Sequence, residues 1–90
     1  MKIEDLVPTA RTKGKAYASN KKWSAVRDDH GRVIVYHYKT AMLWVLPDGT
    51  PQPISRGRGS TSDVQGVRKV LAGIGINMSY KDFYNKEQPA

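Results

Sequence analysis

RVIVYHYKTAMLWVLPDGTPQPI, residues 32–54, is the densest run of apolar and β-favouring residues in the chain, and its reading decides the fold. Val, Ile, Tyr and Trp suit a pleated, half-buried surface, while Gly31 before the run and Pro47-Asp48-Gly49 within it are turn residues. The run reads as two strands and the start of a third. In residues 32–40 a period of two sets Val33, Val35, His37 and Lys39 on one face and Ile34, Tyr36, Tyr38 and Thr40 on the other. Residues 41–46 divide Met42, Trp44 and Leu46 from Ala41, Leu43 and Val45. Both faces are apolar, whereas an antiparallel sheet with one wet side alternates apolar with polar. What covers the second face therefore bears on function. Lys39-Thr40-Ala41 holds neither Gly nor Pro, so one long bent strand competes with a hairpin there. Pro47-Asp48-Gly49-Thr50 is a firmer turn, and residues 50–54 return as a short edge strand because Pro51 and Pro53 cannot donate to a ladder.

Working outward, WSAVR at residues 23–27 is a further strand, and Asp28-Asp29-His30-Gly31 is its hairpin loop, with Asp at the first turn positions and Gly supplying a positive φ. Turn chemistry accounts for these acidic residues beside His30 without a metal or an acid/base role. Residues 9–22, TARTKGKAYASNKK, carry Arg11, Lys13, Lys15, Lys21 and Lys22 and no acidic residue. With Tyr17 as the single large apolar residue, this stretch is expected to stay solvated or to order on a polyanion. Ile3, Leu6 and Val7 have helical spacing, which Pro8 is expected to end. Downstream, SRGRGSTS (residues 55–62) leads into a helix over about 62–73, where Val64, Val67, Leu71 and Ile74 form a stripe, a serine caps the start, and Gly73 or Gly75 closes the end. Gly66 weakens that helix unless another group approaches its backbone closely. Ser79 and Asp82 resemble a capping box, with Tyr80, Phe83 and Tyr84 on one face of a short C-terminal helix. The fold expectation is α+β: a three- to four-stranded antiparallel meander with one packed helix, a basic N-terminal arm at 1–22 and a compact domain at 23–90.

Composition narrows the function classes. The absence of cysteine removes disulfides, thiolate metal sites and a cysteine nucleophile, and it suits a reducing cytosol. No apolar run approaches the roughly 20 residues of a membrane span, and residues 1–8 carry two acidic residues where a signal peptide is basic. Fifteen Lys and Arg against eight Asp and Glu leave a net charge of +7, so an acidic partner is expected, nucleic acid first. Lys13, Lys15, Lys21, Lys22, Arg56 and Arg58 are the candidate phosphate contacts, and Tyr36, Tyr38 and Trp44 are the candidate base or partner contacts.

The stretch Gly57-Arg58-Gly59-Ser60-Thr61-Ser62 offers backbone N–H groups, hydroxyls and an arginine before a helix, which suits a phosphate, but it lacks the Gly-Lys-Ser/Thr of a nucleotide-binding loop. His30 and His37 form no recognisable metal site. A Ser-His-Asp trio can be written from Ser60 or Ser62, His37 and Asp63; any chain of this size offers one, and no nucleophile-elbow motif accompanies it. The expectation is a non-enzymatic protein without cofactors.

His37-Tyr38-Lys39-Thr40, then Leu46-Pro47-Asp48-Gly49-Thr50, then a Gly- and Ser/Thr-rich segment with arginines opening a helix, resembles a family of small uncharacterised proteins of tailed bacteriophages, especially phages of actinobacteria. The resemblance covers residues 37–71; Arg58 stands where the family has an aromatic residue and Asp63 where it has a threonine. It implies a viral origin and the cytoplasm of an infected bacterial host. Two functions suit that setting. One is a nucleic-acid-binding accessory protein. The alternative is a host-directed effector that binds an acidic host protein through the apolar sheet face, and pairing of two copies through that face is a third arrangement.

Overall fold

A computed structural model describes residues 1–85. Five strands, β1 (Lys15–Tyr17), β2 (Trp23–Arg27), β3 (Val33–His37), β4 (Thr40–Val45) and β5 (Pro51–Pro53), form one antiparallel sheet in sequence order. Three helices, α1 (Leu6–Lys13), α2 (Thr61–Gly73) and α3 (Tyr80–Asn85), accompany it. The α+β meander is thus as expected, with one strand more. That strand corrects the reading of residues 1–22 as a solvated arm. Leu6, Val7 and Ala10 of α1, Ala16 of β1 and Ala18 are all buried, and α1 packs against the first three strands. Pro8 does not end the helix, because it sits in the first turn, where its missing N–H has no intrahelical acceptor to lose. Burial of small alanines, which adds core without adding bulk, orders a stretch that looks too polar to fold.

The register defines the two faces. Ala16, Ala25, Val35 and Leu43 pair in one row across four strands and are buried. Trp23, Val33, His37 and Val45 share their side, and all join a cluster with Leu6, Val67, Val70, Leu71, Phe83 and Tyr84 or lie against it. At Val35/Tyr36 the register slips: Val35 faces Leu43 and Tyr36 faces Ala41, so Met42 is an extra residue in β4. The bulge turns both Met42 and Leu43 into the core, correcting the strict alternation that set Met42 beside Trp44. Its carbonyl accepts from Ile54 N (3.0 Å), Ser55 N (3.1 Å) and the Tyr84 hydroxyl (2.8 Å). The C-terminal helix, whose start is capped by Ser79, therefore seals the same side as α2.

The helix α2 is rotated from the expected stripe. Val67, Val70 and Leu71 face the core with Gly66, whereas Val64 points outward. Gly66 explains the rotation: a Cβ there would lie 1.9 Å from Trp23, so the indole occupies the space of the absent side chain. Gly73 is approached equally closely, its Cβ position lying 2.0 Å from the Glu4 carbonyl in the 3-10 turn Ile3–Asp5. Gly73→Ala is expected to lower stability by about 1–3 kcal/mol despite a better helix propensity, as read from urea-unfolding midpoints. Equal or higher stability would show that the turn simply moves away.

The hairpin between β3 and β4 is the two-residue turn Tyr38-Lys39, closed by the His37–Thr40 pair, so the long bent strand does not form. Tyr38 takes a positive φ of 57° that glycine would adopt without strain. Tyr38 N–H bonds to the Lys22 carbonyl at 2.7 Å, tying the loop before β2 to this turn. The Asp28 loop follows the turn chemistry expected of it, with the carboxylate accepting from His30 N and Arg32 N, both at 2.9 Å.

Candidate nucleic-acid interface

The opposite side of the sheet has no helix over it among the described residues. One row runs Lys15, Val26, Ile34, Trp44 and Gln52, and the next runs Tyr17, Ser24, Tyr36 and Ala41. Val26, Ile34, Tyr36 and Trp44 are half-buried by their neighbours on the strands, and Tyr17 is 63% exposed. Arg32 lies over the Trp44 ring at 4.5 Å and pairs with Asp28 at 2.7 Å, while Trp44 Nε1 donates to Gln52 at 3.1 Å. Tyr36 and Trp44 thus share the uncovered face. Tyr38 does not; it sits in the turn at the sheet's end, also 63% exposed. Tyr17 joins this surface without having been singled out, because its strand was hidden inside a stretch that read as an arm.

Meander topology sorts the cations. The β1–β2 loop and the β3–β4 turn lie at one end, and the chain leaving β5 returns to that end beside Met42. Lys21, Lys22, Lys39, Arg56 and Arg58 therefore gather there around Tyr38, all exposed. Lys15 lies on the uncovered face, whereas Lys13, at the end of α1, belongs to the other end of the sheet, which carries Asp28 and Asp29. Arg56 is partly committed, since its guanidinium donates to Asn85 at 2.9 Å.

Between the Tyr38 turn and the start of α2 is a cleft of about 660 Å³, lined by His37, Tyr38, Lys39, Thr40, Gly57, Arg58, Ser60, Ser62 and Asp63. Its wall contains a buried hydrogen-bonded couple. His37 Nδ1 lies 2.6 Å from Asp63 Oδ1, and both residues are buried. Asp63 is the third residue of α2 and completes a capping box with Ser60. Its second oxygen accepts from Arg58 N (3.0 Å), Ser60 N (3.1 Å) and Ser60 Oγ (3.0 Å). Burial pushes the carboxyl's pKa up, but the hydrogen bonds from His37, Ser60 and Arg58 outweigh it and hold the carboxyl below its ordinary value. The imidazole stacks on Trp23 at 4.4 Å and 11°, and the Tyr38 ring lies 4.9 Å from it. His37 Nε2 is buried and has no hydrogen-bond partner among the described residues.

Ser60, His37 and Asp63 are therefore neighbours, but not as a catalytic triad. The serine hydroxyl is bound to the carboxylate, where it caps the helix, and no nucleophile is bonded to Nε2. Among the described residues no three His, Cys, Asp or Glu side chains are grouped to hold a metal ion, and no helix is long and apolar enough to cross a membrane. Comparison of the chain with protein-family models, curated proteins and solved structures finds no match.

Proposed function

We propose that the protein is a non-enzymatic nucleic-acid-binding accessory protein of the phage type, acting in the cytoplasm of an infected bacterial host. The observation that carries this reading is the gathering of Lys21, Lys22, Lys39, Arg56 and Arg58, from three separate connections, at the end of the sheet that presents Tyr38. The cations hold phosphates, and Tyr38 with Tyr17, Tyr36 and Trp44 offers π-faces to bases. Lys15 extends the positive track over the uncovered face. Lys13 takes no part, because it lies at the far end.

Binding is expected to weaken steeply with salt. A Lys22→Ala, Arg58→Ala double variant should lower the slope of log affinity against log salt by about 1.4 for a single strand, since each lost phosphate contact removes about 0.7. Fluorescence anisotropy between 50 and 200 mM salt, over which the Debye length falls by about half, is the measurement. Affinity that does not change with salt would remove the reading.

A second reading is favoured by the row Val26, Ile34 and Trp44, which is apolar and has no helix over it among the described residues. An acidic host protein would be held there by the apolar strip and the cations beside it. Retention of a partner from host lysate after nuclease treatment separates this from nucleic-acid binding.

A further inference from the structure

We propose that the cleft at His37 reads the ribose 2′-hydroxyl of a single-stranded RNA, so that the protein prefers RNA to DNA. This rests on the nucleic-acid reading above and names its substrate class. Two features line the cleft: the start of a thirteen-residue helix with Arg58 and Lys39 beside it, and a histidine 92% buried whose second ring nitrogen lacks a partner among the described residues.

The direction of the missing bond follows from Asp63. One of its oxygens receives three donors, and the other faces His37 Nδ1; an ionised carboxylate only accepts, so Nδ1 carries the proton. In the neutral ring Nε2 is then an acceptor, and it requires a donor. The tautomer is set by the same carboxylate that caps α2, so the acceptor is fixed in place by the fold.

A DNA backbone has no such donor to give: phosphate and deoxyribose offer oxygens that only accept. RNA adds one hydroxyl per nucleotide beside the phosphate, and that hydroxyl is what distinguishes the two polymers at a protein site. Arg58 and Lys39 on the cleft wall match the adjoining phosphate. Tyr38 stands beside the imidazole. Its ring lies 4.9 Å from that of His37 yet is 63% exposed, so it contributes little to the core and offers a face for an unpaired base. Its positive φ holds the turn in a shape that presents the ring outward.

The test compares anisotropy of the full chain with three labelled 12-mers of one sequence at pH 8: oligouridylate, its 2′-deoxy form and its 2′-fluoro form. The 2′-fluoro strand keeps the sugar pucker of RNA but carries no donor. The 2′-hydroxyl strand is expected to bind roughly three- to tenfold tighter than either of the others, the size of one neutral hydrogen bond. His37→Asn, whose amide N–H retains a donor toward Asp63 while removing Nε2, should bring the three affinities together. Because that variant also gives up the stacking on Trp23, the strand comparison with the unmodified protein stands independently of whether it folds. Equal binding of all three strands with a steep salt dependence would overturn the RNA preference and leave the nucleic-acid reading intact. Binding of none at low salt would overturn both, and tight binding of the 2′-fluoro strand would show that pucker rather than the hydroxyl is read.

Discussion

Gly66→Ala is expected to destabilise the protein by about 3 kcal/mol or more, although alanine is the better helix former by roughly 1 kcal/mol. The added carbon would fall 1.9 Å from Trp23 Cζ2, 2.3 Å from Cε2 and 2.7 Å from Cη2, too close for any relaxation of the methyl alone. The indole has little freedom to retreat, since it is 2% exposed and stacked on His37. Either α2 lifts off the sheet or the Trp23–His37 stack breaks. In a domain of this size the midpoint of thermal unfolding should fall by more than about 10 °C, with loss of the near-ultraviolet dichroism of Trp23. Gln65→Ala, one residue earlier and exposed, is the control and should be neutral or slightly stabilising. A Gly66→Ala protein as stable as the parent would mean that α2 does not sit against the indole.

Asp63→Ala should be comparably severe, at about 3 kcal/mol, because it leaves the His37 Nδ1 proton buried without an acceptor and orphans the Arg58 and Ser60 N–H groups that the carboxylate accepts from, the half of the capping box that Ser60 does not supply. The milder Asp63→Asn isolates the charge. Asp63 has a folded pKa below its unfolded value, so its ionised form contributes stability that is fully present above the unfolded pKa of about 4 and is lost as pH falls through the lower, folded value. Asp28 and Asp48, also depressed by the hydrogen bonds of their turns, act in the same direction in both proteins. Unfolding free energies at pH 7 and pH 3 should therefore differ more for the parent than for Asp63→Asn. Equal losses would place the acid sensitivity in the turns rather than at the His37 couple.

How much could be read in advance differs from element to element. WSAVR appears as β2 with the boundaries its residues suggest, and the helix at 61–73 and the short helix at Tyr80 follow from capping serines and apolar spacing. These are local signals, carried by turn residues and periodicity within a dozen positions. Residues 6–18 failed the same test, because Leu6, Val7, Ala10, Ala16 and Ala18 are too few and too small to mark helix and strand until a sheet is present to bury them. The bulge at Met42 left no sign in the alternation and shifted one side chain into the core.

The candidate site was legible in pieces. The positions of Val33, Val35 and His37 on one side of a strand already placed a histidine in core phase, and a polar group there needs a buried partner. That the partner is Asp63, twenty-six residues on, could not be read from spacing, since Asp63 serves its own helix as a capping residue whether or not His37 is near. The cations were all visible; their sorting was not. A meander alternates the ends at which its loops emerge, so Lys21, Lys22 and Lys39 meet Arg56 and Arg58 while Lys13 is carried away from them.

The strands between residues 23 and 53, the helices α2 and α3, the positive charge and the doubly apolar central strands are properties of the residues in order, because turns, caps and side-chain alternation act over short range. Which side of those strands stays uncovered, and which histidine meets which carboxylate, depended on packing: Gly66 admits the Trp23 ring, this sets the rotation of α2, and that rotation delivers Asp63 to His37. Long-range contacts of this kind are selected by volume and by the need to satisfy buried polar atoms, and neither quantity exists until the chain has closed on itself.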